Sequence, residues 1–389
     1  MNSIGAMPCQ ERWLPAVERL ATQLSGDSSR APEPLHHRTA GGHPSLRRFL
    51  VSILLVLLFV VGTALAANAA ELDDAPVQPR AVRKVFGDGN HNAFTALTRF
   101  KGDLWLAFRT AKAHTAPDGD IVVLRSSDDG KTWTESHRVN LARDDRDPQF
   151  LVLGKRLILY DQAINDAALT CYAIHTEDGE RWSEPKPVYE PAFVLWKPAL
   201  HNGKVYSATY TKGDAASGKG REARFIESED GLAWKTVSTI GRAGSESEST
   251  LFFGPGDHAT VFLRQKRGSP QAQIFEANPP YTDWNSRPAN VSHFAGHSIH
   301  AFQGVTYFFT RTMDEKSRQA GLMIYIYADG KMEPYCRLPA GGDCAYAEAV
   351  EVGDNMLVSY YSSHEGATNV YVAEVPLKGL SDRKEGSAK

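Results

Sequence analysis

The side chains of this 389-residue chain that could do chemistry lie far apart. Arg109 closes the run Asp103-Leu-Trp-Leu-Ala-Phe-Arg109, His114 follows it, and a charged turn reads Asp145-Arg146-Asp147-Pro148. Glu248 stands in Ser247-Glu-Ser-Thr-Leu251, while Arg264 and Arg311 end the runs Thr260-Val-Phe-Leu-Arg264 and Tyr307-Phe-Phe-Thr-Arg311. Tyr346 opens a stretch that reaches Tyr361, and Ser362-Ser-His-Glu-Gly366 then carries His364 and Glu365. Each type has its own task. A phenol, with an ordinary pKa near 10, attacks carbon only when a base takes its proton. An imidazole, with an ordinary pKa of about 6.5, exchanges protons near neutrality. Guanidinium groups grip carboxylates through two parallel hydrogen bonds. No CxxC or Cys/His metal spacing occurs, so neither metal nor cofactor is expected. Residues this far apart act together only if the fold gathers them.

A repeat supplies the fold. Three phrases share one pattern: Ser126-Ser-Asp-Asp-Gly-Lys-Thr-Trp133, His175-Thr-Glu-Asp-Gly-Glu-Arg-Trp182 and Glu227-Ser-Glu-Asp-Gly-Leu-Ala-Trp234. In each a strand ends, an acidic side chain folds back onto backbone N–H groups, Asp-Gly makes the turn, and Trp anchors the next strand between sheets. The glycines at 130, 179 and 231 are 49 and then 52 residues apart, the length of one four-stranded propeller blade. From residue 81 onward the chain holds about six such periods. Alternating apolar runs agree, among them Leu104–Phe108, Ile121–Leu124, Phe150–Leu153, Leu157–Tyr160, Lys204–Tyr210, Thr260–Leu263, Val305–Thr310, Met323–Tyr327 and Met356–Tyr361. No helix longer than two turns is expected after residue 80. Tyr327-Ala-Asp-Gly330 reads as a fourth turn that lacks its Trp, and residues 81–90 are expected to complete the last blade.

The turn phrases resemble the Asp-box of sialidases. The region from about 90 to 376 is similar to a secreted bacterial subgroup of sialidase-like proteins, with Arg-then-His, Asp-Arg-Asp-Pro, Gly-Gly-Asp and Ser-Ser-His-Glu-Gly in the same order. That resemblance implies an all-β, six-bladed β-propeller of four-stranded blades with Asp-box turns, its catalytic residues drawn from many blades into one axial cleft. It implies Tyr346 as nucleophile, because a sialidase anomeric carbon bears a carboxylate that repels a charged one. Ser247-Glu-Ser-Thr-Leu251 resembles the sialidase Asn-Glu-x-x-Val segment and implies Glu248 as the base for that Tyr. Arg264 and Arg311, the latter with His297 and His300 upstream, fall where clamp arginines are expected, and Arg109 is expected as a further cationic contact. Asp147, beside Arg146, is expected to hydrogen-bond a substrate hydroxyl, and His364 and Glu365 to face the cleft. The chain departs from the pattern twice. His114 stands where an acid/base Asp belongs, and Phe94-Thr-Ala-Leu97 replaces Phe-Arg-Ile-Pro, which puts Thr95 in place of a clamp Arg.

The implied function is an exported sialidase-like exo-glycosidase that removes a terminal acidic or sialic-acid-like sugar by a retaining Tyr/Glu mechanism, acting as a monomer on a glycan or polysaccharide. Two alternatives stay open: a glycosidase or lyase on a non-sialic sugar using His114 and Arg109, or a glycan-binding propeller without turnover. A net charge of −3 argues against nucleic acid as partner. Residues 1–48 read as a polar extension, 49–70 as a signal peptide or signal anchor, and 81–389 as the propeller. Ala64-Leu-Ala66 and Ala67-Asn-Ala69 offer cleavage sites that lead to a secreted or periplasmic protein; without cleavage, residues 49–67 anchor it to the membrane. Past that segment Cys171, Cys336 and Cys344 remain, and pairing of Cys336 with Cys344 or three free thiols are both open.

Overall fold

The structure is a computed structural model, and it describes residues 75–164, 169–211, 220–242, 244–265, 272–313, 317 and 319–379. The expected signal segment and the extension before it lie outside these residues. Among the described residues no helix is long and apolar enough to cross a membrane.

Six antiparallel sheets form the blades of a β-propeller. The first blade runs His91–Phe100, Asp103–Ala111, Asp120–Ser126 and Thr134–Val139 from inside outward. The second is Gln149–Leu153, Arg156–Ile164, Leu169–Thr176 and Lys186–Pro187. In the third, two short segments, Phe193–Val194 and Ala199–His201, both pair with Lys204–Thr211 and together make the inner edge; Ala223–Ser228 and Lys235–Gly241 follow. The fourth comprises Glu246–Phe253, Ala259–Gln265, Gln273–Ala277 and Asn285–Pro288, and the fifth Ser298–Phe302, Val305–Met313, Ala320–Ala328 and Lys331–Leu338. Cys344–Val352, Asn355–Ser362 and Asn369–Pro376 begin the sixth. Its outer strand is Ala81–Phe86 from the other end of the chain, with Ala81 opposite Glu374. One three-residue 3-10 turn, Pro255–Asp257, is the only helical element among the described residues.

Middle strands are buried on both faces because each blade is packed between two others. Asp103–Ala111 is buried from Leu104 onward, and Leu157–Ala163 is buried throughout. The Gly turns seal the seams. In the first, Asp128 accepts the N–H groups of Lys131 (3.1 Å) and Thr132 (2.9 Å), and Ser126 Oγ accepts that of Gly130 (2.9 Å). In the second and third the accepting carboxylates are Asp178 and Asp230, one residue before the Gly rather than two. Asp129, left-handed at φ 57°, is the extra residue that lengthens the first turn. Gly231, at φ 73°, presses its bare Cα on Leu151, Ile158 and Tyr160 of the preceding blade, and Tyr160 Oη donates to its carbonyl at 2.7 Å. Asp329-Gly330 is left-handed as well, and there Arg287 Nη1 binds the Gly carbonyl (3.1 Å) as the Trp133 and Trp234 indoles do in their turns. All three described cysteines are buried free thiols.

The inner strands carry the site. Five of the six blades place a left-handed residue at the inner-strand entry: Phe94 (φ 63°), Asp147 (50°), Lys197 (40°), Gly296 (52°) and Tyr346 (54°). The fourth blade has instead a register shift between Glu246 and Ser249. Outside glycine such conformations cost on the order of 1–3 kcal/mol each and persist only where the surroundings impose them. Hydrogen bonds between blades impose them here. Thr95 Oγ1 donates to the Tyr346 carbonyl (2.6 Å), Tyr346 N–H to Gly296 O (3.0 Å), and Thr250 Oγ1 to His297 O (2.9 Å).

Candidate active site

Five of these six bulged entries, together with second strands and loops, line one axial cavity of about 290 Å³ to which all six blades contribute; the Lys197 entry lines a second cavity instead. The first blade and its loop give Phe94 and His114, the second Arg146 and Asp147, and the third Tyr210 and Arg221. Glu248 and Arg264 come from the fourth, Gly296 and Arg311 from the fifth, and Tyr346 and Tyr361 from the sixth.

At its base Tyr346 Oη donates to Glu248 Oε1 at 3.1 Å. Arg264 Nη1 binds the same oxygen at 2.8 Å, and the Gly296 N–H donates to Oε2 at 2.8 Å. Burial alone would raise the Glu248 pKa, but the Arg264 charge and the Gly296 N–H outweigh it and hold the carboxyl at about 2. Burial pushes the Tyr346 phenol well above its usual 10, and the charges of Asp147 and Glu248 add to that. The resting pair is therefore phenol and carboxylate. Phe94, Trp196 and Tyr361 pack around the Tyr346 ring, with centroids 4.9, 5.3 and 5.9 Å away.

Four arginines face two carboxylates across this space, so the lining is cationic. Arg146 lies over the Phe94 ring at 4.9 Å and pairs with Asp144 (3.1 Å) and Asp147 (3.3 Å). A cation thus arrives from the second blade, next to the entry where the resemblance led to an arginine being expected in place of Thr95. Several buried polar atoms here have no protein partner: Asp147 Oδ1, Arg264 Nε and Arg311 Nε. Leaving such a group unsatisfied costs about 1–3 kcal/mol.

His114, half exposed at the rim, places Nδ1 2.6 Å from Asp343 Oδ2, and His91 Nε2 is 2.8 Å from the same oxygen. Among the described residues this is the one His/Cys/Asp/Glu trio whose ligand atoms converge, all within 4.8 Å, and so the one group that could hold a metal. Sequence spacing could not reveal it, since its members come from two ends of the chain.

Three expected residues are not brought to the cavity. Arg109 is fully buried, its guanidinium committed to Asp144 (2.7 Å) and to the carbonyls of Ala113 (2.9 Å) and Ala116 (3.2 Å). It shapes the loop that carries His114 and touches no open space. Glu365 pairs on the surface with Lys84 (2.9 Å), and His364 Nδ1 bonds Ser362 Oγ (2.9 Å). The serines of that motif do the closer work: Ser363 Oγ accepts the Asp343 N–H at 2.7 Å and Ser362 Oγ that of Gly341 at 3.0 Å. His297 is buried, with Nε2 at 2.8 Å from the Phe262 carbonyl. His300 lines a second axial cavity of about 270 Å³, where Glu348 joins it (2.8 Å) to buried Lys197. Desolvation drives the Lys197 ammonium down to about 7 and the His300 imidazole down to about 3. Sequence reasoning missed Tyr210, Arg221, Phe94 and His91. Tyr210, Arg221 and His91 are of types that can do chemistry, but none stands in a motif, and Arg221 follows a Gly-rich stretch of sequence.

No protein-family model matches the chain, and no curated protein sequence matches it. Solved structures do share its fold. A Dyadobacter fermentans protein of unknown function superposes with a TM-score of 0.64 at 19% identity, covering 77% of this chain and 100% of that one. A mutant Trypanosoma rangeli sialidase with trans-sialidase activity gives 0.59 at 13% identity and 77% coverage, and this chain spans 58% of its length. A Penicillium chrysogenum α-L-arabinanase complexed with arabinobiose gives 0.57 at 12% identity, covering 76% of this chain and 98% of that one. The neighbours include sialidases and arabinanases, so the chain has the propeller fold of these glycoside hydrolases.

Proposed function

We propose that the protein is an exported exo-glycosidase that removes a terminal acidic sugar from a glycan with retention of configuration. The observation that carries this reading is the hydrogen bond from Tyr346 Oη to Glu248 at the base of an arginine-lined cavity. The Tyr346 oxygen attacks the anomeric carbon while its proton passes to Glu248, the glycosidic C–O bond breaks, and the leaving oxygen takes a proton from the His114 imidazolium. In the second half His114 deprotonates a water, whose oxygen displaces Tyr346 from the sugar, and Glu248 returns the proton to the phenolate. Arg264 links the two tasks. In the resting site it weakens Glu248 as a base; a substrate carboxylate bridging Arg264 and Arg311 draws that cation away and makes Glu248 a better acceptor as the sugar binds. Asp147, which lines the cavity, takes a sugar hydroxyl.

A panel of aryl glycosides of acidic and neutral sugars tests this. Turnover is expected on acidic ones and lost in Tyr346→Phe, which keeps the ring packing and removes only the attacking oxygen. Turnover on neutral or uronic substrates that survives Tyr346→Phe would favour the second reading, a glycosidase or lyase built on His114; that reading draws on the same Asp343-held imidazole. Glycan binding without turnover of any member would leave a binding propeller. Export rests on the apolar run Phe49–Ala67, and N-terminal sequencing of the exported protein should start between Ala67 and Glu71.

A further inference from the structure

We propose that Asp343 is the positioning residue that fixes His114 as the proton donor at the rim of the cavity, an aspartate–imidazole pair doing what a lone carboxylic acid would otherwise do. The inference rests on the glycosidase reading for its role in turnover, and on geometry alone for the pair itself.

The Asp343 carboxylate has three side-chain donors. His114 Nδ1 and His91 Nε2 share Oδ2, at 2.6 and 2.8 Å, and Tyr361 Oη binds Oδ1 at 3.1 Å. Its backbone is fixed as well, with its N–H donating to Ser363 Oγ (2.7 Å) and its carbonyl accepting the Ser363 N–H (3.0 Å). A carboxylate held at both oxygens cannot turn away. An ionised carboxylate has only acceptors, so Asp343 accepts and the imidazoles donate. With Nδ1 of His114 carrying a proton to Asp343, Nε2 is the nitrogen left to exchange protons with substrate. The ring plane is set by edge contacts with His91 (5.1 Å, 76°) and Phe94 (5.4 Å, 86°), and Phe94 also packs on Tyr346. Acid and nucleophile therefore flank one aromatic side chain.

The two histidines have different duties. His114 lines the cavity, with its side chain 52% exposed; the His91 side chain is 10% exposed and its Nδ1 is buried without a partner. His91 can hold the carboxylate but cannot reach a glycosidic oxygen. The ligand atoms of this trio converge as for a divalent ion, yet its N–O separations are those of hydrogen bonds. Zinc, with bonds of about 2.0–2.2 Å in a tetrahedron, would need them at about 3.3 Å.

The test is spectroscopic first. Long-range ¹H–¹⁵N spectra of histidine-labelled protein, assigned with His114→Gln and His91→Gln, should show neutral His114 protonated at Nδ1. Asp343→Asn and Asp343→Ala should each shift it toward the Nε2–H tautomer, with near-ultraviolet circular dichroism confirming that the fold is kept. On substrates turned over by the wild type, Asp343→Asn should lose about 10²–10⁴-fold in kcat on alkyl glycosides, matching His114→Ala, with a smaller loss on dinitrophenyl glycosides and little change in KM. An unchanged tautomer in both Asp343 variants, or stoichiometric zinc bound by the trio with activity that depends on it, overturns the proposal. Wild-type kcat in the Asp343 variants beside a Tyr346-dependent wild type overturns it while leaving the glycosidase reading intact. The tautomer shift without turnover of any glycoside upholds the pair and removes the glycosidase reading instead.

Discussion

Replacing Glu248 by Gln keeps the side-chain shape and removes one buried charge, and the structure gives the size of the effect. The carboxyl is held at about 2 against an ordinary 4.5, a difference worth about 3 kcal/mol in favour of the ionised folded state. Because the folded value is depressed, this stabilisation is complete above pH 4.5 and is lost as the pH falls toward 2. Glu248→Gln should therefore cost about 3 kcal/mol at pH 7, in the range seen when one partner of a buried ion pair is removed. The cost should fall to roughly half of that at pH 3. Urea unfolding of both proteins at the two pH values measures it. A gap that does not narrow would mean that Glu248 is not the ionised partner of Arg264. The same variant should lose about 10²–10⁴-fold in kcat, because the Tyr346 proton then has no acceptor. Loss of stability with full turnover would leave the Tyr346–Glu248 contact structural and refute the reasoning.

Asp145 and Asp161 form a buried pair below Arg146 in which desolvation raises both carboxyls, Asp145 to about 6. With raised values the pair stabilises the fold below about pH 4 and loses that contribution as pH rises through 6, so Asp161→Asn should flatten the pH dependence of Tm across that window. Gly231→Ala should destabilise by about 1–3 kcal/mol in thermal melts, since its left-handed backbone and the nearby Ile158, Leu151 and Tyr160 atoms leave no place for a methyl group. Arg311→Ala should raise KM for acidic glycosides far more than for neutral ones, whereas Arg109→Ala, which breaks the Asp144 pair, should lower Tm and impair all substrates alike.

The repeat was readable because its chemistry is local. A Gly turn with an acid and a Trp at fixed offsets needs no distant partner, and all nine apolar runs singled out fall within strands. Those runs are mostly second and third strands, which are buried on both faces. Inner strands apart from Phe150–Leu153 escaped notice, because bulges such as those at Phe94 and Tyr346 break their alternation, and the outer strands Thr134–Val139 and Asn285–Pro288 are largely polar. The Tyr346–Glu248–Arg264 set was found through resemblance of short segments, each with its own motif. Arg109 misled because a buried arginine at a strand end looks like one that faces a cleft; only the Asp144 contact tells them apart. Asp343 showed as part of a Gly-Gly-Asp motif, but its meaning depends on two histidines more than 200 residues away.

Covalent trapping addresses the central claim most directly. Incubating the protein with a fluorinated glycosyl fluoride of an acidic sugar, then digesting it and sequencing the peptides by mass spectrometry, should place the glycosyl adduct on Tyr346, with none in Tyr346→Phe. An adduct on another residue, or hydrolysis that releases the sugar with inverted configuration, would contradict the account.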